Sequence, residues 1–319
     1  MKSISLLTAL MISISVAHAK STLPITLDFL ANQSVLEFGF DLRYQIGDEW
    51  GKKPVTAESL NRETPAFQRA ARATAKMGGG TAFYLGKFHG HHVMATNHHV
   101  LPAASSCLGN AAVFPYLKRT SSRFNCIRFF GEWSDVDLAL FEIEVKDAES
   151  EEALSKVAKN FAFHTSFTQG RELLTIGFGI ADNAQRVMVA NQDSDCVIFS
   201  QNDEFRFMAD PDEFNPADYK AWSFANGCDV SHGDSGSAMV DRNTSEVLGL
   251  IWTGRIPKSP DVQHSDFLKG LMRSNGAEIW TELSFSVPAP KILEQLQKII
   301  ADPKTDSETR ATLADLTAS

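Results

Sequence analysis

From residue 80 onward the chain runs in short apolar stretches separated by Gly, Asn, Asp and Ser. That is the punctuation of β-strands and their turns. After Gly78-Gly79-Gly80, residues 81–85 predict a strand ended by Gly86, and residues 92–96 predict a second. Residues 138–145 alternate apolar and polar in their second half, the period of a half-buried strand. Further strands are predicted over 172–180, 186–190, 197–200, 237–240 and 247–253. So many short strands at this spacing predict an all-β fold built of antiparallel barrels or a sandwich.

Two stretches follow a helical period instead. Ala153, Leu154, Val157, Ala158 and Phe161 fall on one helical face, and so do Ile292, Leu293, Leu296, Ile299 and Ile300 behind Pro288 and Pro290. Both predict packing helices. Residues 202–219 are acidic and turn-rich, which predicts a surface loop at the edge of a cleft. Residues 20–65 are weakly patterned and are expected to be a propeptide or an N-terminal extension. The folded domain is expected over 66–301, and residues 302–319 are expected to be a frayed tail.

The N-terminus changes the picture. Met1-Lys2-Ser3 carries a positive charge, residues 4–16 are short and mostly apolar, and Ala17-His18-Ala19 has small residues at the two positions a signal peptidase reads. Residues 1–19 are therefore expected to be a secretory signal cleaved before Lys20. The run is too short to span a bilayer. A secreted or periplasmic location follows, and it makes the even set Cys107, Cys126, Cys196 and Cys228 a disulfide framework. Of the three possible pairings, Cys107–Cys126 and Cys196–Cys228 each close a local loop. No C-x-x-C spacing suggests zinc.

Composition adds little. Hydrophobic residues are 43% and charged residues 22% of the 319, and the formal net charge is -9. No basic stripe marks a nucleic-acid surface, so no nucleic-acid partner is expected.

The segment Gly233-Asp234-Ser235-Gly236-Ser237 is the strongest chemical signal. A serine hydroxyl is a weak nucleophile until a base takes its proton. Attack also needs donors aimed at the oxygen that becomes negative. A glycine two residues before the serine lets N–H groups at both positions face one point, which makes Gly233 and Ser235 the candidate oxyanion hole. A plain Gly/Ser turn fits the same five residues. For the base, Ala95-Thr96-Asn97-His98-His99-Val100 offers two histidines, of which at most one faces a cleft, because neighbouring strand residues point opposite ways. For the acid that orients it, Asp135 and Asp137 stand just before a strong strand. The wider set His89, His91, His92, His98 and His99 has no carboxylate or cysteine at ligand spacing, so neither a metal nor a cofactor is expected.

Here the chain resembles a known family. Thr96-Asn97-His98-His99-Val100 looks like the T-N-x-H-V around the base of bacterial trypsin-like serine peptidases. Asp137-Leu138-Ala139-Leu140 resembles their D-[LI]-A-L segment, and Gly233-Asp234-Ser235-Gly236-Ser237 their nucleophile motif. The order His, Asp, Ser is that of chymotrypsin. The resemblance covers about 66 to 300. It implies two antiparallel six-stranded β-barrels with the active site between them and a C-terminal helix. It implies His99 as base, Asp137 as acid and Ser235 as nucleophile of a monomeric, secreted endopeptidase acting on polypeptide substrates.

The resemblance also carries expectations about specificity and activation. Leu248-Gly249-Leu250-Ile251-Trp252-Thr253-Gly254 resembles the strand that pairs with the substrate backbone, through Thr253 and Gly254. In trypsin an aspartate six residues before the nucleophile binds Lys or Arg, and Asp229 holds that position. The cysteine found there four residues before the serine is replaced by Ser231. Glutamyl endopeptidases also resemble this chain, but the histidine they carry on the strand matching 248–254 is missing. In trypsin a freshly cut N-terminus pairs with the aspartate before the nucleophile, here Asp234. No Lys or Arg before residue 80 is followed by Ile or Val. Either processing elsewhere, for example after Arg62, makes the enzyme a zymogen, or Asp234 is paired internally. The competing readings are a catalytically silent binding module on the same fold and an α/β-hydrolase esterase. The esterase elbow needs glycine where Ser237 stands.

Overall fold

The structure is a computed structural model that describes residues 42–118, 121–180 and 187–319. The expected signal peptide, the first part of the extension and Arg186 lie outside the described residues.

Fourteen strands are present among the described residues. In chain order they are β1 (Lys52–Pro54), β2 (Thr74–Met77), β3 (Gly80–Phe88), β4 (His91–Thr96), β5 (Ala111–Phe114), β6 (Ser122–Trp133), β7 (Leu138–Ile143), β8 (Leu173–Gly177), β9 (Val189–Asn191), β10 (Arg206–Ala209), β11 (Lys220–Asn226), β12 (Ala238–Asp241), β13 (Val247–Gly254) and β14 (Ser284–Pro288). Strands β2-β3-β4-β7-β6-β5 close a six-stranded barrel. The others form a sheet in the order β1-β9-β8-β12-β13-β14-β11-β10. Its six inner strands meet the six expected. The two edge strands are additions: β1 comes from the N-terminal extension and β10 from the acidic segment.

Strands β3, β4 and β7 read as nearly continuous apolar runs because both their faces are covered, whereas β6 alternates and exposes one face. Ala82, Tyr84, Met94, Ala139 and Phe141 point into the barrel core. Their neighbours Phe83, Leu85, Val93, Ala95, Leu138 and Leu140 join a larger cluster with Trp252, Phe285 and Ile292. Alternation places successive side chains on opposite faces, and along these apolar runs neither face meets water. Cys107 is joined to Cys126 and Cys196 to Cys228. No described helix is long and apolar enough to cross a membrane.

Three expectations change. Val197 and Ile198 form only isolated bridges, to Glu172 and Asn226, because the chain turns away at Phe199. The mid-chain helix is Ala148–Ser155, capped by the Asp147 side chain. The apolar face expected to continue it is split: Val157 packs in the barrel core, Phe161 in the larger cluster. The tail is ordered, with a helix over Ser307–Ala318 whose Leu313 and Leu316 are buried. Residues 44–62, without readable chemistry in the sequence, are packed into the body: Tyr44, Ile46, Val55 and Leu60 are buried, and β1 pairs with β9. The helix Ala289–Ala301 lies where the second helix was predicted.

Candidate active site

Three loops, one from the barrel's first half, one from its second and one from the other sheet, carry His99, Asp137 and Ser235; His99 bonds Asp137 and shares a cavity with Ser235. β4 ends at Thr96, and His98 and His99 lie in the turn that follows. They part company there. His98 Nδ1 lies 2.6 Å from Glu132 Oε2. His99 Nδ1 lies 2.7 Å from Asp137 Oδ2, and the His99 N–H donates to Asp137 Oδ1 at 3.1 Å.

Asp137 is fully buried and Asp135 is exposed, which separates the two candidates for the acid. Asp137 sits at the end of a 3-10 turn (Ser134–Val136) with φ 34 and ψ 48. A non-glycine residue held in the left-handed region is strained, and surrounding bonds must fix it there. The Asn97 side-chain amide does part of this by donating to the Asp137 carbonyl at 2.8 Å. The conformation turns the carboxylate back toward His99.

The His99 side chain is about a third exposed, at 32%. Desolvation opposes its charged form. The Asp137 carboxylate, by charge and by hydrogen bond, outweighs that, with help from Asp210, and the His99 pKa lies above the ordinary histidine value. Tyr219 joins the pair. Its hydroxyl stands 3.2 Å from His99 Nδ1, and its ring stacks on Trp252. Burial first, then the charge and hydrogen bond of Asp137, push the Tyr219 pKa upward, so the phenol stays protonated and donates.

Ser235 lies half-buried on the loop before β12. Gly233 has φ +105, and a Cβ there would meet the Phe178 carbonyl oxygen at 2.5 Å, so the turn requires glycine. The barrel fixes this loop through Thr81. Its N–H donates to the Ser235 carbonyl at 2.9 Å, and its hydroxyl donates to the Gly233 carbonyl at 2.8 Å. The loop carbonyls are thus engaged. The N–H groups of Gly233 and Ser235 make no backbone hydrogen bond among the described residues.

His99, Ser235, Tyr219, Trp252, Thr253 and Gly254 line one cavity of about 360 Å³, together with His232, Asp210, Asp212 and Asp218. Its far wall is the acidic segment. Asp210 accepts from the Ala217 N–H and pairs with the Thr253 hydroxyl. Asp212 Oδ2 lies 2.7 Å from His232 Nε2. β13 outruns β12: the last cross-strand bonds on that side join the Ile251 N–H to the Ser237 carbonyl and the Gly236 N–H to the Ile251 carbonyl. Trp252, Thr253 and Gly254 continue past it along the cavity.

Asp229 requires a correction. It was expected to meet a substrate cation, yet it is fully buried and is not among the cavity-lining residues. Its oxygens accept the Ile46 N–H at 2.7 Å and the Gly51 N–H at 2.6 Å. Burial first, then the nearby Asp193 charge, raise its pKa well above the usual carboxylate range. The carboxylate is turned inward because the N-terminal extension supplies its donors. The other histidines also have separate partners: His91 lies between Glu142 and Glu308, and His92 Nδ1 meets the Tyr84 hydroxyl.

The motif reading missed Lys52, Thr81, Tyr219 and the Asp212–His232 pair. Only the acidity of 202–219 signalled any of them.

No protein-family model matches the chain, and no curated protein matches it. Among solved structures it is similar to the Rv3671c protease of M. tuberculosis. An inactive serine-to-alanine mutant is 18% identical over 80% of this chain and 98% of that one, with a TM-score of 0.48. The active form is 17% identical over 82% and 93%, with a TM-score of 0.47. The HtrA-type protease AlgW with a decapeptide is 17% identical over 74% and 66%, with a TM-score of 0.45. These are likenesses of overall fold, at scores too low to carry chemistry from one chain to another.

Proposed function

We propose that this chain is a serine endopeptidase with Ser235 as nucleophile, His99 as general base and Asp137 as the acid that orients it. The observation that carries the reading is the buried Asp137 carboxylate bonded to His99 Nδ1 on a cavity that Ser235 shares. With the Nδ1–H given to Asp137, the Nε2 lone pair is the one available to a substrate-side proton. Ser235 Oγ attacks the scissile carbonyl while His99 Nε2 takes its proton. The carbonyl oxygen becomes negative and receives the N–H groups of Gly233 and Ser235. The imidazolium then protonates the leaving amine as the carbon–nitrogen bond breaks. Water, deprotonated in the same way, releases the acyl group and restores Ser235.

The substrate reading rests on β13 and the cavity wall. The unpaired flank at Trp252–Gly254 suits an extended peptide added as a further strand. Three carboxylates, Asp210, Asp212 and Asp218, stand on the wall, and no Lys or Arg among the described residues does. That field favours a Lys or Arg side chain before the cut and disfavours Glu or Asp. The two disulfides fit an oxidising compartment, which supports a secreted or periplasmic enzyme.

The test is labelling with a fluorophosphonate, mapping of the labelled residue, and comparison of wild type with Ser235→Ala on casein and a peptide library. Label on Ser235 and a loss leaving only the roughly 10³–10⁴-fold acceleration of an intact oxyanion hole and binding site support the proposal. Undiminished cleavage by Ser235→Ala would refute it and leave the binding-module reading. A profile favouring Glu would refute the specificity alone.

A further inference from the structure

Asp234 stands in the chain between the two residues whose amides are assigned to the oxyanion hole, and its charge partner comes from far earlier in the chain. Lys52, in β1, is 3% exposed. Its ammonium pairs with Asp234 Oδ2 and donates to Ser231 Oγ at 2.6 Å. The Ser231 N–H and hydroxyl both donate to Asp234 Oδ2, at 2.9 and 3.0 Å. The Gly179 N–H donates to Oδ1 at 3.0 Å. The space is built for this pair: a Cβ at residue 179 would lie 2.2 Å from Lys52 Nζ and 2.3 Å from Asp234 Oδ2.

A carboxylate so buried persists as an ion only with a paired charge and a full set of donors. Lys52 is the cation. The segment that carries it grips the same loop a second time, where the Ile46 and Gly51 N–H groups hold Asp229. The barrel grips the loop from the other side, where Thr81 takes the carbonyls of Gly233 and Ser235. With its carbonyls and both carboxylates taken, the loop has the Gly233 and Ser235 N–H groups left to present outward.

We propose that Lys52 is a positioning residue for catalysis. Its ammonium anchors Asp234 and, through the backbone on either side, holds the two oxyanion-hole amides in place. The inference rests on the peptidase reading above and extends it to activation. Of the two alternatives for Asp234, the internal pair is the one present, so the enzyme needs no freshly cut N-terminus to form its oxyanion hole. Residues 44–54 are a retained working part of the enzyme.

The experiment uses the full chain with Lys52→Met, which keeps most of the apolar stem of the side chain and removes the ammonium. Near-UV circular dichroism reports folding, and kcat, KM and inhibition by a peptide aldehyde report the site. The aldehyde is chosen because its serine adduct places an oxygen in the oxyanion hole. A folded Lys52→Met should lose roughly 10²–10³-fold in kcat, as when an oxyanion donor is removed. Aldehyde affinity should fall in parallel, with KM moving far less. A folded variant with wild-type kcat overturns the inference.

Should Lys52→Met not fold, the double variant Lys52→Met/Asp234→Asn leaves no unpaired buried ion and is read in the same way. A double variant with wild-type kcat is equally fatal. Independently, the mass of the fluorophosphonate-labelled wild-type enzyme should include residue 52. An active labelled species that has lost residues 44–54 overturns the inference, while loss of Ser235 labelling overturns the peptidase reading beneath it.

Discussion

Replacing Asp137 by asparagine alters one side-chain atom and should silence the site without unfolding it. The carboxylate is fully buried and its Oδ2 lies 2.7 Å from His99 Nδ1. Two effects add. The amide can turn its NH2 toward Nδ1, which then accepts, so that the proton sits on Nε2 and the base cannot take one from Ser235. The imidazolium formed during attack also loses its counter-charge. For unit charges about 4 Å apart at an effective dielectric near 20, that attraction is about 4 kcal/mol, or roughly 10³-fold in rate. The tautomer change brings the expected loss in kcat to roughly 10⁴-fold, the size seen for this substitution in a Ser-His-Asp triad. The assay is kcat and KM on a peptide amide, with near-UV circular dichroism to confirm that the His99 loop is still packed. A folded Asp137→Asn enzyme that keeps kcat within about tenfold of wild type would refute the assigned role.

Further outcomes follow from the same group of side chains. With His99 in its proposed role as a neutral base and its pKa raised, the acid limb of kcat/KM should have its midpoint above the ordinary histidine value of about 6.5. Asp210→Asn, which removes one of the raising charges, should move that limb to lower pH; a limb below 6.5, or an upward move, would contradict the assignment. By linkage, the stability His99 gains from Asp137 is fully present below the unfolded histidine pKa and is lost as pH rises through the folded value. Tyr219→Phe keeps the ring on Trp252 and removes the hydroxyl beside His99 Nδ1, so kcat/KM should fall by roughly 2- to 13-fold, the worth of one hydrogen bond of about 0.5–1.5 kcal/mol. Unchanged kinetics would reduce Tyr219 to a packing residue.

The site was legible where it is local. Ser235 and Gly233 are two residues apart, and the geometry of that turn is a property of the short segment itself. Asp137 could be ranked above Asp135 only by resemblance; the structure ranks them by burial. Asp229 stood at the right spacing from Ser235 but was misread, because its orientation is set by amides more than 170 residues earlier, at Ile46 and Gly51. β14 was not predicted at all. Its Ser284 and Ser286 are buried polar residues satisfied by the Cys228 carbonyl and the Asn226 amide, although Ser284-Phe285-Ser286-Val287 does alternate polar and apolar.

By itself the sequence determined the β-rich class, the barrel strands around residues 80–96 and 138–143 and the helix near the C-terminus, and it named the three motif residues as candidates. These depend on periodicity and short spacing, which survive in one dimension. The tertiary structure alone decided that the acidic segment walls the cavity and that Lys52 from a weakly patterned extension neutralises Asp234. Each of these is a pairing between groups far apart in the chain. A buried charge takes whatever opposite charge the fold delivers to it, and local composition holds no record of that choice.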